Sequence, residues 1–162
     1  MSTETAILAG GCFWPAQDMF SRRPGVISTR VGYTGGENDN PTDDHHPGHA
    51  EALEVVFDPD RTSYRDILEF FFQAHRPDLA EGLVGSDYRS EIFYASEEQR
   101  RIAEETIAAT DASGIWPGMV VTRMSAAGTF WEAGAEDQHY LRDFPDRKNQ
   151  FRPGAVRSSR RP

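Results

Sequence analysis

One stretch near the N-terminus constrains the fold more than any other, because it joins a strand pattern to a helix pattern through two glycines. The apolar run from Thr5 to Ala9 is typical of a short buried strand, and Gly10-Gly11 end it. Helical spacing of apolar residues begins after Pro15, and proline is well suited to the first turn of a helix. We therefore expect Cys12, which lies between the two patterns, at or just before a helix N-terminus.

Cys12 is the only cysteine in the chain. Unpaired backbone N–H groups and the helix dipole favour an anion at a helix N-terminus, so a thiol held there loses its proton more readily. The resulting thiolate is the nucleophilic form of the residue. Most lone cysteines are small buried hydrophobes, so the position alone leaves a catalytic and a structural interpretation open.

Length and charge narrow the class of protein. The 162 residues suffice for one domain with an ordinary core, which we place at 1–144. Residues 145–162 are polar and rich in arginine without periodicity, which predicts an irregular basic tail. The 26 acidic residues exceed the 17 basic ones, for a net charge of −9, and this argues against a nucleic-acid-binding surface.

The same sequence predicts a cytoplasmic protein. No apolar run approaches the roughly 18 residues of a membrane span. The N-terminus lacks the basic-then-apolar order of a signal peptide. One cysteine cannot form an intramolecular disulfide, and a reducing compartment is therefore the expectation.

Strand and helix patterns alternate along the rest of the domain. Further strands are predicted at 26–31, 49–57, 90–94 and 119–124. Helices are predicted from a cap at Thr62 or Ser63 to Ala74 or His75, and from a capping box at Ser96 to Gly114. The order is β-α-β, then β-α-β, with one more helix and strand. This order fits an α+β fold, a ferredoxin-like two-layer sandwich in which helices pack against a mixed sheet.

A polar loop from Glu37 to Pro47 leads into the third strand, and loops of this length are often functional. His45, His46 and His49 lie within five residues there, and clustered histidines can bind metal. Their spacing repeats no zinc pattern and no cysteine lies nearby. We expect no metal site, and a metal-binding protein is the least favoured hypothesis.

Several separate motifs, in one order, carry a family resemblance. They are Gly11-Cys12-Phe13-Trp14, Pro24-Gly25-Val26, the run 31–36, the run 48–52, Phe57-Asp58-Pro59 and the run 88–94. With these motifs the chain resembles the peptide methionine sulfoxide reductase A family, over roughly 5 to 141. The resemblance implies an α+β fold, a catalytic domain at 1–144, and reduction of methionine-S-sulfoxide in free or protein-bound form.

The resemblance also implies a role for each site residue. A thiolate attacks the electrophilic sulfur of a sulfoxide, methionine is released, and the cysteine becomes a sulfenic acid. Cys12 would be this nucleophile, and Glu51 the acid near the sulfoxide oxygen. Phe13 and Trp14 match the pair of aromatic residues that hold the S-methyl group. Tyr88 matches a site tyrosine and would donate a hydrogen bond to the oxygen.

Four positions depart from the family pattern. Asp43 follows Asn-Pro-Thr and is expected among the substrate-binding residues, at a position where the family commonly has a tyrosine, and Leu83 aligns with an aspartate. Asp137 aligns with a histidine, and Gln17 stands where many members carry glutamate. Because a lost donor can cost about 2.7–4 kcal/mol of transition-state stabilisation, these departures predict a reduced rate. They leave open an alternative, a low-turnover sulfoxide-binding or redox-sensing module that keeps the pocket and the thiol.

The single cysteine determines what the enzyme needs from outside. Without a second thiol, the sulfenic acid at Cys12 must be reduced by thioredoxin, glutaredoxin or a small thiol, as in single-cysteine members of the family. We expect no bound cofactor. The expected partners are oxidised proteins or free methionine sulfoxide and the thiol reductant, and we expect a monomer that binds neither nucleic acid nor membranes.

Overall fold

The computed structural model of the chain describes residues 2–79 and 87–147, so the predictions made for Leu83 and for most of the basic tail lie outside the described residues. The elements in order are β1 (Glu4–Gly10), α1 (Phe13–Phe20), β2 (Val26–Thr34), β3 (Ala50–Phe57), α2 (Tyr64–Ala74), β4 (Ser90–Tyr94), α3 (Glu97–Ser113), β5 (Arg123–Ala126), β6 (Trp131–Glu132), a 3-10 turn (Ala135–Asp137) and α4 (Tyr140–Asp143). Among the helices of these ranges, none has the length and apolar character to cross a membrane. The architecture is a mixed α+β fold, as expected.

Six strands form one mixed sheet in the order β5-β4-β1-β3-β2-β6. Neighbouring strands are antiparallel except β4 and β5, which are parallel. In β1, Leu8 lies between Leu53 of β3 and Ile92 of β4, and Gly10 lies beside Ser90. The C-terminal ends of β1 and β2 and the N-terminal ends of β3 and β4 therefore lie at the same end of the sheet.

Apolar residues at helical spacing attach α1 and α2 to one face of the sheet. Ser63 caps α2: its side chain accepts from the backbone N–H of Asp66, while the Asp66 carboxylate accepts from the N–H of Ser63. This reciprocal pair satisfies two donors that the first helical turn leaves unpaired. The main core cluster lies between these helices and the strands, and its largest fully buried members include Phe13, Phe20, Phe57, Ile67, Leu68, Phe72 and Ile92.

The capping box predicted for α3 is confirmed at Ser96 but not at Gln99. The Ser96 hydroxyl accepts from the N–H of Gln99, as a capping box requires, but the Gln99 amide oxygen accepts from Ala95, one residue earlier. The helix ends at Gly114, whose φ of 69° is left-handed and suits glycine.

The strand predicted at 119–124 was wrong in its boundaries, because strand pairing begins only at Arg123. The N–H groups of Gly118, Val120 and Val121 donate to the Asp78 carboxylate, the Asp111 carboxylate and the Pro77 carbonyl, respectively. An apolar run rich in β-branched residues is typical of a strand. Here these backbone N–H groups instead donate to α3 and to the segment that follows α2, so they are not available for pairing with a neighbouring strand.

Candidate active site

Cys12 lies where the sequence predicted, as the residue that precedes α1. Its backbone is extended, with φ −60° and ψ 134°, and the helix begins at Phe13. Gly11 before it has a φ of 93°, which favours glycine, and a Cβ at Gly10 would lie 2.8 Å from a ring carbon of Phe71. The two glycines thus allow β1 to turn into α1 within two residues. The Cys12 side chain is 1% exposed.

Glu51 reaches the same helix N-terminus from β3. The residue is completely buried, and its Oε1 atom accepts a hydrogen bond of 3.2 Å from the backbone N–H of Phe13. This contact brings a carboxyl group to the first helical residue after the thiol. The start of β3 is fixed in turn by the N–H of Glu51, which donates to the Asp87 carbonyl at 2.8 Å.

The two aromatic residues after Cys12 are held by other rings. Phe13 packs on Tyr33 with ring centroids 5.6 Å apart and a tilt of 56°. Trp14 stacks on Tyr140 at 3.7 Å, with the planes only 11° apart. Both aromatic residues belong to the main core cluster. The structure therefore places Cys12 and these two rings on one short segment, with Tyr33 and Tyr140 as neighbours that the sequence did not predict.

The loop before β3 places its histidines against separate partners. The His49 ring accepts from the Gly36 N–H through Nδ1 and donates to the Asn38 carbonyl through Nε2. The His46 ring stacks on Tyr33, and its Nε2 atom lies 3.2 Å from the Asp87 carboxylate. Within residues 2–79 and 87–147, no group of three potential metal ligands was found.

Comparison with known proteins gives the family. A family model described as peptide methionine sulfoxide reductase matches residues 4–161. The chain belongs to the peptide methionine sulfoxide reductase A family.

Relatives in this family cover most of the chain. Peptide methionine sulfoxide reductase MsrA of Nocardia farcinica is 60% identical over 147 residues, which are 89% of this chain and 86% of that one. Among solved structures, methionine sulfoxide reductase A of Corynebacterium diphtheriae is 31% identical, with a TM-score of 0.72 over 88% of this chain and 76% of that one. Mxr1 from Saccharomyces cerevisiae in complex with Trx2 is 26% identical, with a TM-score of 0.57 over 85% of this chain and 84% of that one.

Asp43, one departure from the reductase pattern, is exposed on a tight turn. Thr42 and His45 exchange backbone hydrogen bonds of 2.9 and 3.1 Å, and Asp43 and Asp44 form the turn between them. The preceding Asn40 has a φ of 52°, in the left-handed region that asparagine tolerates. Two exposed carboxylates at the tip of this turn give the loop a solvated end.

Asp137, a second departure, is connected directly to the aromatic pair. Its side chain is buried, and Oδ1 accepts a hydrogen bond of 3.0 Å from the indole Nε1 of Trp14. The 3-10 turn that carries Asp137 thus fixes the orientation of a residue 123 positions earlier in the chain. The sequence marked the position only as different from the family.

Gln17, a third departure, connects α1 to two other segments. Its amide nitrogen lies 3.3 and 3.2 Å from the carbonyl and hydroxyl oxygens of Thr29, and its amide oxygen accepts from the His139 N–H at 2.6 Å. A carboxylate cannot donate, so glutamate at this position could not make the bond to the Thr29 carbonyl. The buried amide is therefore matched to its surroundings in this chain.

Tyr88 and Asp87 lie immediately before β4. Tyr88 is half-buried and packs against the main core cluster that contains Cys12, Phe13 and Trp14. Asp87 was not predicted as a site residue, yet its carbonyl holds Glu51 and its carboxylate faces His46. The contacts of Asp87 with Glu51 and with His46 join residues 36 and 41 positions apart, so no local sequence pattern predicts them.

Proposed function

We propose that this chain is a thiol-dependent reductase of methionine-S-sulfoxide, free or in oxidised proteins, and that Cys12 is its nucleophile. The observation that carries the proposal is the hydrogen bond from Phe13 to Glu51, which brings a buried carboxyl to the residue next to the only thiol. The relatives named as peptide methionine sulfoxide reductases support the same reaction class.

The chemistry requires one nucleophile and one proton source. The Cys12 sulfur attacks the sulfoxide sulfur and forms an S–S bond, while the oxygen takes up a proton. The protonated oxygen then passes from the methionine sulfur to the Cys12 sulfur as the S–S bond breaks, so methionine leaves and Cys12 becomes a sulfenic acid. The N-terminus of α1 favours an anion on the adjacent thiol. Two external thiols then return Cys12 to its reduced form, with release of one disulfide and one water.

Glu51 is the proposed acid. An acid must carry a proton before it can give one to the sulfoxide oxygen, and burial disfavours the carboxylate anion. Complete burial of Glu51 supports this role. The Phe13 N–H favours the anion instead, and we propose that the loss of hydration on burial outweighs this hydrogen bond.

The remaining predicted residues are assigned to substrate binding. Phe13 and Trp14 are proposed to hold the S-methyl group, because their rings lie directly after Cys12 and are fixed by Tyr33 and Tyr140. Tyr88 is proposed as the donor to the sulfoxide oxygen. Asp43 occupies the position of a second donor but is a carboxylate on an exposed turn, which supports a site with one donor fewer.

We further propose thioredoxin as the reductant, with glutaredoxin or a small thiol as the other candidates. The yeast relative solved in complex with Trx2 supports this choice. A cytoplasmic monomer with no bound cofactor and a basic tail at 145–162 completes the proposal. The β-α-β-β-α-β order and the central strand order β4-β1-β3-β2 support a ferredoxin-like description of the core.

A burst experiment tests the proposal. Without reductant, the wild type should release one methionine per chain from methionine-S-sulfoxide and carry one sulfenic acid, trapped by dimedone and detected by mass spectrometry. Dithiothreitol should convert the burst into steady turnover. Cys12→Ser should remain folded by circular dichroism and release nothing. A burst without turnover in dithiothreitol would favour the low-turnover sensing module instead, and activity in the serine variant would refute the mechanism.

A further inference from the structure

Met119 is the most exposed of the methionines that the structure describes. Its side chain is 70% exposed, whereas Met19 and Met124 are half-buried. Oxidants reach a thioether in proportion to its exposure, and oxidation makes this flexible apolar side chain polar and chiral. Among these three residues, Met119 is therefore the one on which oxidation should concentrate.

The backbone around Met119 holds the residue outward. The N–H groups of Gly118, Val120 and Val121 are each hydrogen-bonded, at 3.0, 2.8 and 2.8 Å. Val120 packs against the main core cluster, so Met119, its neighbour in sequence, faces solvent. The segment has no regular structure and leads into β5, a strand at the end of the sheet. Met119 thus projects from an anchored, irregular segment on which a second protein could act.

The same hydrogen bonds oppose a movement of Met119 towards Cys12 of its own chain. Cys12 is 1% exposed and belongs to the main core cluster, whereas Met119 is 70% exposed. A displacement of Met119 from its position would strain the three backbone hydrogen bonds that flank it. We therefore expect an oxidised Met119 to be repaired by a different molecule.

We infer that Met119 is an oxidation site of this protein and that its S-sulfoxide is a substrate for Cys12 of a second copy of the chain. The inference rests on the proposed function. Hydrogen peroxide would convert Met119 to its sulfoxide with release of one water. Cys12 of the second copy would take the oxygen as a sulfenic acid, and two thiols would reduce it, giving one disulfide and one water. The net reaction is reduction of one peroxide by two thiols.

The first experiment locates the oxidation. Cys12→Ser protein is treated with hydrogen peroxide, digested, and analysed for sulfoxide at each methionine. We expect Met119 to be oxidised several-fold faster than Met19 and Met124. Equal rates at the three residues would overturn the assignment of Met119 as the oxidation site.

The second experiment separates substrate from catalyst. Oxidised Cys12→Ser protein carries the Met119 sulfoxide but no thiol, and Met119→Leu protein carries the thiol but no Met119. When the two are mixed with dithiothreitol, about half of the Met119 sulfoxide should disappear, because peroxide makes both epimers and a reductase of this kind takes one. Free methionine-S-sulfoxide in the same tube is the internal control.

The outcomes distinguish a failure of the Met119 inference from a failure of the proposed function. If the free sulfoxide is reduced and the Met119 sulfoxide is not, the inference is wrong and the proposed function stands. If neither is reduced, both are wrong. Salt gives a second readout, because two copies with a net charge of −9 each repel one another. Reduction of Met119 sulfoxide should speed up with ionic strength, while reduction of the free sulfoxide changes little.

Discussion

At the scale of single residues, Glu51 is the sharpest test of the mechanism. Glu51→Gln keeps the size of the side chain and an acceptor for the Phe13 N–H but cannot deliver a proton. Single-turnover reduction should slow by roughly 10²–10⁴-fold, the range typical of general acid catalysis, with little change in substrate binding. Glu54→Gln is the matched control on the same strand, because Glu54 pairs with Arg30 instead. An unaltered rate in Glu51→Gln would reassign the acid.

Asp43 tests whether the chain lacks one catalytic donor. Its exposure at the tip of the 42–45 turn leaves room for a larger side chain there. Asp43→Tyr should raise the single-turnover rate about tenfold, because one donor to a developing oxyanion is worth at least that much. Asp44→Tyr, on the same turn, is the control for bulk alone. If Asp43→Tyr is no faster than the wild type at any pH, the missing tyrosine does not limit this protein.

At the scale of elements, α1 depends on the segment that follows β6. Asp137 accepts from the Trp14 indole, and the His139 N–H donates to Gln17, so one short segment fixes two residues of the helix. Asp137→Leu would leave the indole N–H without its acceptor, at a cost of about 1–3 kcal/mol, and should raise KM more than it lowers kcat. Asp137→Asn keeps an acceptor and should restore KM. Equal KM values in both variants would separate Asp137 from the orientation of Trp14.

The elements also show which features the sequence could predict. Segments with clear periodicity and caps, such as β1, β4 and α2, lie close to their predicted bounds, and so does the turn that puts Cys12 before α1. These features depend on neighbours along the chain. The contacts of Asp137 with Trp14 and of Asp87 with His46 join residues 123 and 41 positions apart, and no local pattern encodes them. The sequence therefore predicts the position of Cys12 before α1, but it does not predict the long-range contacts around the candidate site.

At the scale of the whole molecule, the half-buried His75 contributes to how stability depends on pH. His75 follows α2, where its Nδ1 atom lies 2.7 Å from the Phe71 carbonyl and its Nε2 atom 2.8 Å from the Ser90 hydroxyl at the start of β4. Ser90 lies beside Gly10 and bonds Thr122 just before β5, so this ring joins three parts of the sheet to a helix. Burial lowers the pKa of His75 from its ordinary 6.5 to about 4, because the cation would lose its hydration.

The direction of the pH effect follows from this shift. Above pH 6.5 the ring is neutral whether the chain is folded or not, and its contribution to stability is complete. As the pH falls from 6.5 towards 4, the unfolded chain binds a proton that the folded chain does not, so stability declines. Between pH 7 and pH 4.5 the loss should be about 2–3 kcal/mol. Asp78, whose pKa its hydrogen bond with Arg76 lowers to about 2, loses its contribution only below its ordinary 3.8 and does not overlap this window.

Urea unfolding at pH 7 and pH 4.5, followed by circular dichroism, measures the loss. His75→Gln retains one donor and one acceptor but does not titrate, so its free energy of unfolding should fall by about 2–3 kcal/mol less than that of the wild type over this interval. We expect the variant to have a lower free energy of unfolding than the wild type at pH 7. At pH 4.5 this difference should shrink or change sign. A parallel decline in the two proteins would show that the acid sensitivity of the fold arises elsewhere.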